Sequence, residues 1–194
     1  MKAYEVNAGQ GIDTLRLVER AAGVLGPQEV RVKLAAAALN HRDLMIVDGE
    51  YLPQGEVVVP LSDGVGQVIE IGSAVTRVHT GDRVIVGFWP DWIDGDVMPD
   101  KVMRGFGAQL PGTLAEEMVA DEHMLTIAPA SLSMREAATV ACAGLTAWNA
   151  LFVRGALKPG GTVLLLGTGG VSLWALQLAL AARSRPIIIS SSDE

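Results

Sequence analysis

The stretch TVLLLGTGGVSLWALQLALAA, residues 162–182, decides how this chain is read. It opens with an uninterrupted apolar run, as in a parallel strand buried on both faces. It then breaks at Gly167, Gly169 and Gly170 and continues as an apolar segment of helical length. The 21 residues carry no charge, so a single membrane-crossing helix is the competing reading. The three glycines weaken one continuous helix, and no cationic flank marks an orientation. A buried strand, a glycine turn and a helix account for the same composition. With PIIIS, residues 186–190, as a following strand, the order is that of a βαβ unit.

The turn GTGGVS, residues 167–172, fits G-x-G-x-x-[G/A] at its first two glycines and places Ser172 third. The first glycine allows the tight turn out of the strand, and the second lets backbone approach a pyrophosphate. The phosphates then rest on the free N–H groups of the helix start. Such a motif is weak alone, but here it follows an apolar strand and opens a helix. Gly167, Thr168, Gly169, Gly170 and Val171 are therefore the expected dinucleotide contacts, the alternative being a merely structural turn. About 20 residues further on, an acid at the end of the second strand would bind the ribose 2′-OH of NAD. Here that end is Ser190, with Ser191 next, and Asp193 arrives three residues late. Hydroxyls do not repel a 2′-phosphate, so NADP(H) is favoured over NAD(H).

Working outward, residues 134–152 have helical spacing behind Ser133, with Glu136 placed to close a capping box. Residues 1–125 are β-rich. EVRVKLAAAAL (29–39) starts with alternation and becomes uniformly apolar, and GVGQVIEIG (64–72) alternates with glycines that mark a bend or close approach. VTRVHTGDRVIVG (75–87) reads as two short strands around a turn. Short strands between glycine turns favour a barrel or sandwich. The reading is thus a mixed fold: a β-rich domain over residues 1–125 and an incomplete α/β domain over 126–194. The loop of residues 90–100 gathers four aspartates, read as solvated.

The formal charge of −7 and pI near 4.9 argue against nucleic-acid or anionic-membrane partners. Cys142 is the only cysteine, so no internal disulfide exists, and the first ten residues lack an apolar signal core. A cytoplasmic chain is expected.

NHRDLMIVDGEY (40–51), VPLSDGVGQVIEIG (59–72), TGDRVIVG (80–87), ACAGLTAWNAL (141–151) and the segment 155–179 together resemble the medium-chain dehydrogenase/reductases. The resemblance runs in order along nearly the whole chain. It implies a GroES-like β domain followed by a Rossmann domain, of which only the first two strands are expected here. It also implies a truncated or frame-shifted family member, or a deliberately shortened chain. In zinc-dependent members two cysteines and a histidine hold the catalytic metal; by resemblance those positions are Asn40, Ser62 and Cys142. One thiolate does not hold catalytic zinc, which needs three protein ligands, so no zinc is expected. The family's structural-zinc lobe matches residues 90–112, which contain no cysteine.

The zinc-less quinone and enoyl reductases are the nearer comparison. By that resemblance Tyr51 hydrogen-bonds or protonates the substrate, and Asn40 orients substrate or ribose. His41 contacts cofactor phosphate, and Thr146 lies beside the nicotinamide. The alternatives stay open: a packing tyrosine, a turn-forming asparagine and a solvated histidine. Asp43 is read as a structural partner of a nearby amide or arginine. The implied function is zinc-independent NAD(P)(H)-linked reduction or oxidation of a carbonyl, quinone or activated alkene, on a small-molecule substrate. The intact parent is expected to be a homodimer. The rival is a catalytically inactive fragment, or a binding or oligomerising module built on the β domain.

Overall fold

The computed structural model describes residues 1–190. Its contacts divide the chain into two units, residues 1–141 and 142–194.

In the first unit, β1 (Lys2–Asn7), β2 (Arg16–Glu19) and β4 (Val57–Val58) form a three-stranded sheet in the order β2-β1-β4. A larger antiparallel sheet holds β3 (Glu29–Ala38), β5 (Asp63–Ile71), β6 (Arg83–Val86), β7 (Glu117–Asp121) and β8 (Leu125–Ile127) in the order β7-β3-β5-β6-β8. The alternation in β3 sends Val30 and Val32 into a core with Val68, Val84, Val86, Met118 and Leu125. β3 and β5 are held unusually close at Gly66, where an added Cβ would lie 2.2 Å from the Lys33 carbonyl oxygen. The pairing slips between Leu34 and Ala36, so a bulge bends the sheet beside this glycine.

Of the two strands expected over residues 75–87, only β6 forms. The N–H groups of Thr76 and Arg77 both donate to the buried Glu122 carboxylate at 2.7 Å, so the first stretch has spent its donors on a side chain rather than a ladder. The helical region after Ser133 is also less regular than its spacing suggests. The Ser133–Glu136 capping box closes as expected at the start of α2 (Met134–Ala137). Beyond it the backbone passes into a π-helical stretch (Val140–Gly144), with Thr139 Oγ1 donating back to the Glu136 carbonyl at 2.8 Å. Ala137 and Ala138 pack against Val65, Ile85 and Ala128, which ties α2 to the β-rich unit.

The second unit contains α3 (Leu145–Trp148), β9 (Thr162–Leu166), α4 (Gly170–Ala181) and β10 (Arg185–Ile189). β9 and β10 pair in parallel, Leu164 against Ile187 and Leu166 against Ile189. On one face Leu165 packs with Ala175 and Ala179 of α4 and Ala147 of α3. The expectation of a strand buried on both faces is met on one face only: Leu164 and Leu166 are 59% and 69% exposed. Among the described residues α4 is the single helix between the two strands, so the sheet has one covering layer. No helix among the described residues is long and apolar enough to cross a membrane.

Candidate functional site

The first unit carries the polar residues of the segment 40–63. Asn40 precedes the short helix α1 (His41–Val47) in extended conformation and forms a reciprocal capping box with Asp43. The Asn40 N–H donates to Asp43 Oδ2 at 2.7 Å, and the Asp43 N–H donates to the Asn40 carbonyl at 3.0 Å. Asp43 is buried, and that burial pushes its carboxyl above the usual aspartate value, opposed by the Asn40 amide and by Arg42. Asp43 thus contacts a backbone amide and serves the local turn. His41, the first helical residue, is exposed.

Tyr51 is 44% exposed and does not stand alone. The Arg42 guanidinium lies over its ring, 5.4 Å from the centroid, and over the Phe88 ring at 4.7 Å. Arg42 Nη1 also donates to the Phe106 carbonyl at 2.9 Å, so this cation fixes three segments separated widely in sequence. Arg42 is the residue that the sequence does not single out. Its partners are 9, 46 and 64 positions away, and no local pattern announces them.

Ser62 and Asp63 are fully buried side by side, with Ser62 Oγ donating to Asp63 Oδ1 at 3.1 Å. Thr113 Oγ1 donates to the Asp63 carbonyl at 2.9 Å. The preceding Leu61 adopts φ +73°, a conformation that disfavours a side chain. Its backbone is gripped between Gly107 and Gly112, where added Cβ atoms would come within 2.6 and 2.2 Å of it. Among the described residues no group of three His, Cys, Asp or Glu side chains is placed to hold a metal ion.

The second unit carries the glycine turn. Gly167 has φ +74°, and its N–H donates to the Ile189 carbonyl at 2.8 Å, so it leaves β9 in the left-handed turn that the motif requires. Gly169 sits at the N-cap of α4 with φ −74°. An added Cβ at Gly167 or Gly169 would meet nothing within 4 Å. Thr168, Gly170 and Val171 are exposed around the same turn. Ser172 does more than fill the third motif position, since its Oγ donates to the Leu166 carbonyl at 2.8 Å and ties helix to strand. The close packing belongs to Gly170, whose Cβ position lies 3.4 Å from Ala143 Cβ. Thr146 is exposed on α3, and Ser190 is exposed just after β10. Ser191 lies outside the described residues.

The model of the alcohol dehydrogenase GroES-like domain matches residues 26–130. A zinc-type alcohol dehydrogenase-like protein of Schizosaccharomyces pombe is 45% identical over 173 residues, 88% of this chain and 50% of that protein. The solved cinnamyl alcohol dehydrogenase of Sorghum bicolor superposes with a TM-score of 0.87 at 26% identity, over 99% of this chain and 58% of that one. The quinone oxidoreductase of Pseudomonas syringae pv. tomato does so at 0.77 and 27%, over 99% and 53%. The chain spans about half the length of the curated relatives it matches.

Proposed function

Because the chain belongs to the alcohol dehydrogenase GroES-like family, within the medium-chain dehydrogenase/reductases, we propose that it serves zinc-independent, NADP(H)-linked oxidoreduction of a carbonyl, quinone or activated alkene. The observation that carries this reading is the turn out of β9: a left-handed Gly167, an N-cap Gly169 and unobstructed space above both. The residues of this turn fit the phosphates of a dinucleotide. The amides of residues 167–171 would receive its phosphates, and the Ser190 and Ser191 hydroxyls its 2′-phosphate. The bound nicotinamide supplies the hydride chemistry. His41 and Thr146 are the further contacts proposed for it.

This chain's own part is to hold the acceptor oxygen and move a proton. Tyr51 is proposed as the hydrogen-bond donor to that oxygen, its ring held in place by Arg42. Asn40 is proposed to orient substrate or ribose. The positions matching zinc ligands, Asn40, Ser62 and Cys142, offer an amide, a hydroxyl and one thiol, and that donor set suits no catalytic zinc. A cytoplasmic setting, a small-molecule substrate and, for the intact parent, a homodimer complete the proposal.

A second reading, a non-catalytic binding or oligomerising module, draws on the bare aliphatic face of Leu164, Leu166, Ile187 and Ile189. Titration with NADPH, followed by coenzyme fluorescence alongside light scattering, separates the two. Saturable binding by a monodisperse chain supports the first reading. No binding, with mass growing as concentration rises, sinks it and supports the second.

A further inference from the structure

A cavity of about 410 Å³ opens in the β-rich unit along the whole of β7. It lies within the size range of small-molecule sites, roughly 300–1,000 Å³. Its floor is apolar, built from Val59, Phe106, Leu110, Met118 and Met124. Three of these, Phe106, Met118 and Met124, belong to the main hydrophobic core, and Leu110 packs against it. Two methionines on the floor suit it to adjust to a guest, because the thioether chain is unbranched and flexible.

The charged side chains at the rim are engaged with one another or with backbone, and the Met1 ammonium, which also lines the cavity, donates to the Arg20 carbonyl at 2.9 Å. Arg20 pairs with Glu5 at 2.9 Å, Arg31 with Glu70 at 2.8 Å, and Arg104 grips Asp91 through two bonds of 2.9 and 2.6 Å. Among the rim acids, Glu29 accepts the Gly26 N–H at 2.7 Å and Asp121 accepts the His123 N–H at 2.9 Å. Glu117 lies 4.0 Å from Arg31. A charged guest would have to displace one of these contacts, the Met1–Arg20 bond included, or be buried without a counter-ion, and either is costly. β7 is an edge strand, paired with β3 on one side and with no strand on the other among the described residues. Its outward backbone groups can therefore satisfy one polar group of a guest.

We propose that this cavity is a binding site for an uncharged, largely apolar small molecule bearing one hydroxyl or carbonyl group. Every residue named for it belongs to the β-rich unit, and the proposal does not depend on the cofactor reading.

The test uses the 194-residue chain with 2-naphthol as probe and 2-naphthoate as its charged counterpart, followed by probe fluorescence and by amide shifts of β7. The expected result is saturable 2-naphthol binding with shifts at Met118 and Val119, and binding of 2-naphthoate weaker by roughly tenfold or more. Ala115→Leu, which narrows the cavity, should abolish 2-naphthol binding while the unfolding temperature shows a folded chain. Should that variant unfold, Val119→Phe at the half-buried wall replaces it. Absence of saturable binding, equal affinity for the two probes, or unchanged binding in the folded variant overturns the proposal.

Discussion

Replacing Gly66 by alanine should show that the β3–β5 contact is set by backbone proximity. The added Cβ would sit 2.2 Å from the Lys33 carbonyl oxygen and 2.7 Å from Val32 Cγ1. Ordinary contact begins at 3.4 Å, so the carbonyl must retreat by about 1.2 Å. That movement pulls apart the pairing of Leu34 with Gly66 and of Lys33 with Gln67. Two weakened ladder bonds at about 1 kcal/mol each, with an overpacking cost of about 1–3 kcal/mol, give a loss of about 3–5 kcal/mol. Gly81→Ala is the control. It has φ +99° and nothing within 4 Å of its Cβ position, so only left-handed strain is introduced, about 1–2 kcal/mol. Urea unfolding followed by circular dichroism compares the two, with amide exchange in β3 and β5 as the local readout. If Gly66→Ala costs no more than Gly81→Ala, the close approach does not hold this sheet together and the reasoning fails.

The other predictions concern the two candidate regions and acid stability. Gly169→Ala introduces a methyl with no steric neighbour at an ordinary φ, so stability should change by less than about 0.5 kcal/mol. NADPH affinity should nevertheless fall about tenfold or more, and unchanged affinity by fluorescence titration would remove Gly169 from the phosphate site. Ser190→Asp should shift preference from NADPH toward NADH, because a carboxylate repels a 2′-phosphate and accepts a 2′-OH; competitive titration of both coenzymes reads the change. The Glu122 carboxyl is held below its ordinary value, first by the Thr76 amide and then by the Arg77 amide. Its stabilising contribution is therefore present above about pH 4.5, the ordinary value, and is lost as pH falls through the lowered one. Glu122→Gln should unfold at lower temperature than the parent at pH 7, with the difference shrinking as the pH is taken below that range.

Sequence alone determined those features whose causes lie within a few residues. The strand, turn and helix around residues 162–182 follow from an apolar run and from glycines that tolerate a left-handed or open backbone. The start of α2 follows from a serine and a glutamate three residues apart, and the presence of strands at β3, β5 and β6 was legible in alternation and glycine punctuation. Tertiary structure decided the rest. Arg42 stacks on Tyr51 and Phe88 and bonds Phe106 because the fold brings those segments together. Glu122 captures two amides 46 and 45 residues away, and by doing so removes a strand that the local pattern favours. The exposure of Leu164 and Leu166 likewise depends on which layers cover the sheet rather than on the strand's own composition. Local torsional preference and periodicity are written in adjacent residues. A contact across 40 or more positions depends on where the backbone carries each partner, and no short window of sequence encodes that.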